Sequence, residues 1–164
     1  MVGVDLSTNA VDFSRTTHSI SGLEFKQGDA EHLPFDSESF DAVVNVESSH
    51  CCPSPEKFFF EIHRVLRKDG YFLYADFREA SALDAWRRGL EQSGLKILRE
   101  QDITLQVLAA LDDDNERKLA LIQNLVPRPL HRSFRDFAAV QGSPIHEAFR
   151  TRRLVYLSFV LEKM

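Results

Sequence analysis

Three short segments carry side chains able to do chemistry. The first is Glu47-Ser48-Ser49-His50-Cys51-Cys52, which sets a carboxylate, hydroxyls, an imidazole and thiols in a row. An imidazole that titrates near neutrality can take the proton from a hydroxyl as its oxygen attacks an electrophile, and a nearby carboxylate can orient or charge-pair the ring. His50 and Glu47 are therefore the candidate catalytic residues, and the plainer alternative is that His50 only closes a pocket wall. A zinc site at His50, Cys51 and Cys52 would need adjacent ligands where spaced cysteine pairs are usual, so no metal is expected. The other two segments are Val2-Gly3-Val4-Asp5-Leu6-Ser7 and Gln27-Gly28-Asp29-Ala30. A carboxylate at a strand end can accept two hydrogen bonds from a ribose diol, and a second can accept from an exocyclic amine. Asp5 ahead of a serine-capped helix equally suits the helix dipole, and Gly28-Asp29 equally suits a plain turn.

The elements that must position these groups alternate between strand and helix, which predicts an α/β fold with a parallel sheet and helices on both faces. Met1–Val4 is a short strand, and Ser7 caps a helix running to about Thr17. Gly22–Gln27 and Phe40–Val46 are the next strands. Ser54 caps a helix with Pro55 in its first turn, Phe58, Phe59, Ile62, Val65 and Leu66 on one face, and Gly70 at its end. A strand at Tyr71–Phe77 follows, then a helix marked by Leu83, Trp86 and Leu90 that stops at Gly94, then a strand over Leu95–Thr104. Leu105 to about Arg150 forms a helical insertion, interrupted by the charged run Asp112–Lys118 as a solvated turn, and Leu154–Leu161 is the last strand. Ligands of such sheets bind beyond the carboxyl ends of the strands, which gathers Asp5, Asp29 and Asn45–His50 on one rim.

With 164 residues, 43% apolar and thirteen phenylalanines, the chain can bury a core as one domain over 1–164. Within it, 1–104 forms the ligand-binding core, 105–150 the insertion or lid, and 151–164 the final strand. A net charge of −5 leaves no basic footprint for a phosphate backbone, so no nucleic-acid partner is expected. No apolar run approaches the roughly 20 residues that span a bilayer, and the first residues lack the features of a signal peptide. A cytoplasmic protein with reduced thiols is expected, since adjacent Cys51 and Cys52 could bridge only with strain.

In order and spacing, Gly3-Val4-Asp5-Leu6-Ser7, Gly28-Asp29-Ala30-Glu31-His32-Leu33-Pro34-Phe35, Ser39-Phe40-Asp41-Ala42-Val43-Val44 and Arg64-Val65-Leu66-Arg67-Lys68-Asp69-Gly70-Tyr71 resemble the class I S-adenosylmethionine-dependent methyltransferases, in particular methyltransferase type 11. The resemblance covers about Met1 to Phe77 and departs from the family's usual glycine pairs at Lys68-Asp69-Gly70. It implies a Rossmann-like sheet, S-adenosyl-L-methionine as methyl donor and S-adenosyl-L-homocysteine as product. It also implies that Asp5 binds the ribose, Leu6 packs on the adenine, Asp29 contacts the adenine amine and Ala30 offers its backbone N–H. Asn45 and Val46 would border the methionine part. Val46-Glu47-Ser48-Ser49-His50-Cys51 ahead of a proline is similar to O-methyltransferases of long-chain mycobacterial lipids of the phthiotriolone type.

The family's first strand, glycine-rich loop and following helix would precede Met1, so the sheet is expected to lack the strand between those at Met1 and Phe40. A longer parent protein or a homodimer would mend it. The expected activity is methyl transfer to a small-molecule or lipid hydroxyl, under a lid formed by Leu105–Arg150. The rival is a truncated, inactive methyltransferase-like protein serving as a dimerising or binding module.

Overall fold

The computed structural model describes residues 1–164 throughout. β1 (Val2–Asp5) leads into α1 (Thr8–Thr17), where the Ser7 side chain accepts a hydrogen bond from the Ala10 N–H at 3.3 Å and so caps the helix. β2 (Glu24–Gln27) pairs with β1 in parallel, placing Asp5 opposite Gln27. It starts later than Gly22 because that glycine turns the chain at φ 80°. β3 (Phe40–Val46) matches its expected bounds and runs parallel to β4 (Leu66–Glu79).

α2 (Pro55–Val65) buries Phe58, Phe59, Ile62 and Val65, as their spacing predicts. Two expectations fail at its ends. The Ser54 side chain makes no cap, and the Ser54 N–H instead donates to Glu31 Oε1 at 2.7 Å. The helix also stops short of Gly70: β4 begins at Leu66, and the stretch up to Tyr71 bulges out of register with β3. A Cβ on Gly70 would lie 2.8 Å from the Arg67 carbonyl oxygen, so the glycine permits close backbone approach inside the bulge and terminates no helix.

α3 (Leu83–Gln92) buries Trp86 and Leu90 and ends where Gly94 takes φ 88°. β5 (Leu95–Asp102) is followed by the insertion: α4 (Thr104–Asp113), α5 (Asn115–Leu125), α6 (His131–Phe137) and α7 (Pro144–Arg150). β6 (Leu154–Lys163) closes the fold. The charged run turns at Asp114 between α4 and α5 and is largely exposed, with helix on both sides, but two of its residues also make tertiary contacts. Asp112 pairs with the buried His146 Nε2 at 2.8 Å, and the Asn115 side chain accepts from the Gln141 N–H at 3.0 Å.

β3, β4, β6 and β5 form a four-stranded sheet in that order, while β1 and β2 form a separate pair. The sheet is mixed, which corrects the all-parallel expectation: β6 runs antiparallel to both β4 and β5. The insertion returns the chain at the end of the sheet where β5 stops, and an antiparallel neighbour needs no crossover. Helices lie on both faces, though unevenly: on the second face α7 packs Phe149 against Phe77 and Tyr156 at one end of the sheet only. α2 and α3 cover one face of the sheet, whereas Val44, 65% exposed, with Val46 and Leu73 lines an open shallow groove on the other.

The covered face holds an aromatic core. Tyr74 stacks on Phe72 at 4.9 Å and Phe159 at 5.8 Å, and Trp86 meets both Tyr74 and Phe159 edge-on. Phe59 and Phe58 pack against these rings from α2. Removing a buried ring leaves a cavity that a rigid aromatic cluster fills poorly. Phe59→Ala is therefore expected to lower the unfolding free energy by about 3–5 kcal/mol in urea denaturation, while Phe137→Ala, at an 84% exposed position, changes it by less than about 0.5 kcal/mol.

Candidate active site

Because β1 and β2 are parallel neighbours, Asp5, the last residue of β1, and Asp29, just beyond β2, sit at the same end of the pair. Asp5 Oδ1 accepts from the Ser7 N–H at 2.7 Å, and Asp29 Oδ1 accepts from the Glu31 N–H at 2.8 Å. In each turn one carboxylate oxygen is tied to the backbone two residues on. The other oxygen is left for a ligand, although Asp29 Oδ2 lies 3.6 Å from the exposed His32 Nδ1. Leu6 is exposed beside Asp5, and Ala30 packs against the main core. Gly28 is glycine because a Cβ would meet Pro34 and Val4 at 2.9 Å, which explains the run from Gly28 to Pro34 as one packed turn.

α2 fastens that turn to the body of the protein. Glu61 Oε2 accepts from the Leu33 N–H at 2.7 Å, and Arg64 donates to the carbonyls of Leu33 at 3.0 Å and Phe35 at 2.7 Å. The hydrogen bond from Arg64 outweighs burial and holds the Glu61 carboxyl below the usual range.

At the end of β3, Asn45 Nδ2 donates to Ser48 Oγ at 2.5 Å, while the buried Asn45 Oδ1 has no partner within the chain. Val46 is exposed, and Glu47 takes φ 54° as its N–H donates to the Ala75 carbonyl at 2.8 Å. A non-glycine residue in the left-handed region marks strain held by its surroundings. Burial pushes the Glu47 carboxyl up; the His50 ring opposes this and the Asp76 charge adds to it.

The following 3₁₀ turn, Ser49–Cys51, lies on a residue that the sequence patterns did not single out. Asp76, near the end of β4, has no solvent exposure. Its Oδ2 accepts from Ser49 Oγ at 2.6 Å and from the His50 N–H at 3.0 Å. Its Oδ1 accepts from the Phe77 N–H at 2.8 Å and faces His50 Nδ1 at 2.8 Å. Arg78 Nη1 is 3.3 Å from the same carboxylate, and Arg78 also donates to Ser49 Oγ at 2.8 Å while lying over the Trp86 ring at 4.7 Å.

Ser49 Oγ is bonded to the Tyr74 hydroxyl, which accepts from Trp86 Nε1 at 3.1 Å. Burial pushes the Tyr74 phenol far up, so it stays neutral. For Asp76, burial is the largest influence and acts upward. The hydrogen bonds from Ser49, His50 and Phe77 and the Arg78 charge together overcome it and leave the carboxyl below its ordinary value. The His50 imidazole lies against Phe77 at 4.5 Å between ring centres, with its side chain 28% exposed.

The structure thus brings the two expected catalytic residues, Glu47 and His50, to the end of β3, and the four expected adenosine contacts to the β1 and β2 turns. Asp76, Ser49, Tyr74 and Arg78 complete the hydrogen-bonded cluster around His50. The one available signal for them was a lone acid inside the apolar run Tyr71–Phe77. Burial and the nearby acids Glu31 and Asp29 push the Cys52 thiol up, and neither cysteine is bridged.

Acidic residues thus stand at adjacent ends of β1 and β2, and an imidazole held by a buried carboxylate stands past the end of β3, the strand end at which α/β folds present ligating groups. Residues 1–74 match the family described as methyltransferase domain, and the fold is that of the class I methyltransferases. Over 161 residues it is 37% identical to the phthiotriol/phenolphthiotriol dimycocerosates methyltransferase of Mycobacterium tuberculosis, covering 98% of this chain and 60% of that protein. It is 39% identical over 151 residues to the fatty-acid O-methyltransferase of Mycolicibacterium smegmatis, covering 92% of this chain and 53% of that protein. The chain therefore spans little more than half the length of these relatives.

Phosphoethanolamine N-methyltransferase 2 of Haemonchus contortus, solved with S-adenosyl-L-methionine, superposes with a TM-score of 0.77 at 17% identity. That superposition covers 99% of this chain and 43% of that one, and it shows the fold. No helix of the chain is long and apolar enough to cross a membrane.

Since the Asp76 carboxyl is held below an unfolded value of about 3.9, its ionised form adds stability above that value and loses it as pH falls through the folded value. The urea midpoints of wild type and Asp76→Asn are expected to differ most near pH 7 and to converge below about pH 4. A gap that stays constant down to pH 3 would remove Asp76 from the acid limb.

Proposed function

We propose that this chain is the larger part of a methyltransferase that moves a methyl group from S-adenosyl-L-methionine to the hydroxyl of a lipid or related small molecule. The observation that carries the proposal is an imidazole, His50, anchored to a buried carboxylate just past the end of β3, with Asp5 and Asp29 at the ends of the parallel strands β1 and β2. S-adenosyl-L-methionine supplies a methyl group activated by attachment to a positively charged sulfur, and S-adenosyl-L-homocysteine is left. The chain's own groups suit it. The uncommitted oxygens of Asp5 and Asp29 and the orphaned Asn45 Oδ1 are all acceptors, matching the hydroxyl and amine donors of an adenosine and an ammonium-bearing tail.

In this proposal Asp5 takes the ribose diol, Leu6 packs on the adenine, Asp29 takes the amine, Ala30 offers its N–H, and Asn45 and Val46 border the methionine part. His50 receives the acceptor's proton and Glu47 lies beside it. Methyl transfer needs mainly alignment of oxygen, carbon and sulfur, so positioning carries most of the rate. The insertion α4–α7 covers the acceptor, and its exposed Leu105, Leu121, Leu125 and Phe134 suit an alkyl chain.

The lipid preference follows the names of the relatives, and those names lend no support to an inactive binding module. β1 and β3 each pair on one side only. We assign that opening to a further strand, from a longer parent chain or from a second copy in a homodimer. Native mass spectrometry decides between the two: a dimer supports the second copy, and a monomer the longer chain.

Titration calorimetry with S-adenosyl-L-homocysteine tests the cofactor site. Binding is expected, with Asp5→Ala weakening it about 10- to 100-fold, the scale of a lost hydrogen bond to a charged group. No heat and no thermal stabilisation at high ligand concentration would overturn the proposal for residues 1–164.

A further inference from the structure

Asp76 is a full negative charge placed among aromatic rings, where an apolar residue of similar size would pack without any desolvation penalty. What the charge accomplishes is visible in its partners. Both oxygens are saturated with donors: Ser49, the His50 backbone and Arg78 on Oδ2, and Phe77 on Oδ1. An ionised carboxylate can only accept, so the remaining contact, Oδ1 to His50 Nδ1 at 2.8 Å, requires the proton on Nδ1. The neutral ring then carries a bare lone pair on Nε2. The same carboxylate holds the His50 main chain and its ring, and Phe77 lies against the flat of the ring, so the orientation is fixed at three points.

We infer that Asp76 is a positioning residue that holds His50 in its Nδ1–H tautomer, and that the site consequently takes an alcohol in preference to a carboxylate as methyl acceptor. This rests on the methyl-transfer proposal above. An alcohol donates its hydrogen bond to Nε2 and gives up that proton there as its oxygen bonds to the methyl carbon, while the electron pair of the broken carbon–sulfur bond remains on sulfur. A carboxylate has no proton to give, and its charge would face a lone pair with Glu47 close by. The other groups near the ring cannot substitute for His50. Ser49 Oγ donates to Asp76, the Tyr74 phenol is buried, and Arg78 is paired with Asp76.

The tautomer can be read directly, without any turnover, from two-bond proton–nitrogen correlations of the chain labelled with ¹⁵N-histidine, the His50 signals being those lost in His50→Gln. The expected pattern is a protonated Nδ1 and a bare Nε2 in the wild type, a switch to the Nε2–H form in Asp76→Asn, and no switch in Ser49→Ala. A wild-type His50 in the Nε2–H form overturns the inference even if Asp76→Asn fails to fold. So does an Asp76→Asn protein that folds and keeps the wild-type pattern.

With a long-chain alcohol and the fatty acid of equal length offered separately, the alcohol is expected to be methylated at least tenfold faster. Asp76→Asn should lower kcat by about 10²- to 10⁴-fold, the range of a general base, with KM little changed. Equal or faster methylation of the acid overturns the acceptor assignment. If neither compound is methylated, the methyl-transfer proposal falls, while the tautomer pattern still decides the role of Asp76.

Discussion

A carboxylate with no access to water is the constraint around which this structure is arranged. Asp76 sits on a strand whose neighbours Phe72 and Tyr74 belong to the aromatic core, and an unpaired charge there would cost several kcal/mol. Each feature of the surrounding cluster answers that cost. The 3₁₀ turn at Ser49–Cys51 presents a hydroxyl and a backbone N–H to one oxygen, Arg78 supplies the countercharge, and Trp86 and Tyr74 pass the polar chain on into the core. The positive φ of Glu47 fits this arrangement, since the chain must reverse sharply after β3 for Ser49 and His50 to reach a residue on the adjacent strand.

The two ends of the proposed site lie in different sheets, so something must hold them in a common frame. That link is α2. Its inner face packs Phe58, Phe59 and Ile62 against the four-stranded sheet, and its polar edge, Glu61 and Arg64, grips the backbone of the Asp29 turn. Ser54 joins in by giving its N–H to Glu31. That bond adds a tertiary anchor at the helix start, between α2 and the turn that carries Asp29.

Much of this was legible from local pattern. Ser7 as a cap, β3 at Phe40–Val46, the buried face of α2 and the stop at Gly94 all follow from short-range physics that needs no knowledge of neighbours. Asp5, Asp29, Glu47 and His50 were visible because strand ends are where such sheets present ligating groups. The misses are tertiary. The direction of β6 depends on where a helical insertion returns the chain, and no periodicity within Leu154–Leu161 encodes it. Gly70 reads as a helix end by type, but the carbonyls of Arg67 and Asp41 around it make it a point of close approach. Asp76 was hidden by its setting, because an acid in an apolar run is conspicuous only once its donors, contributed from positions 26 and 27 residues earlier, are known.

The helical insertion shows how an apolar segment can be attached firmly while its outer surface stays open. Its start is held where buried Thr104 accepts from the Tyr156 N–H at 2.9 Å and Asp102 accepts from the Thr104 N–H at 2.9 Å; its end is held where Arg152 pairs with Asp102. Inside, His146 on α7 reaches Asp112 at the end of α4, and Asn115 on α5 accepts from Gln141. These bonds tie four short helices that individually bury few apolar side chains, and short helices of this kind owe their stability to such tertiary ties more than to propensity. Leu105, Leu121, Leu125, Phe134 and Phe137 therefore need not face inward for the insertion to hold its shape. Their exposure leaves a broad apolar surface mounted on a fixed frame, joined at its ends to β5 and β6, of which β6 pairs with β4, the strand that carries Asp76.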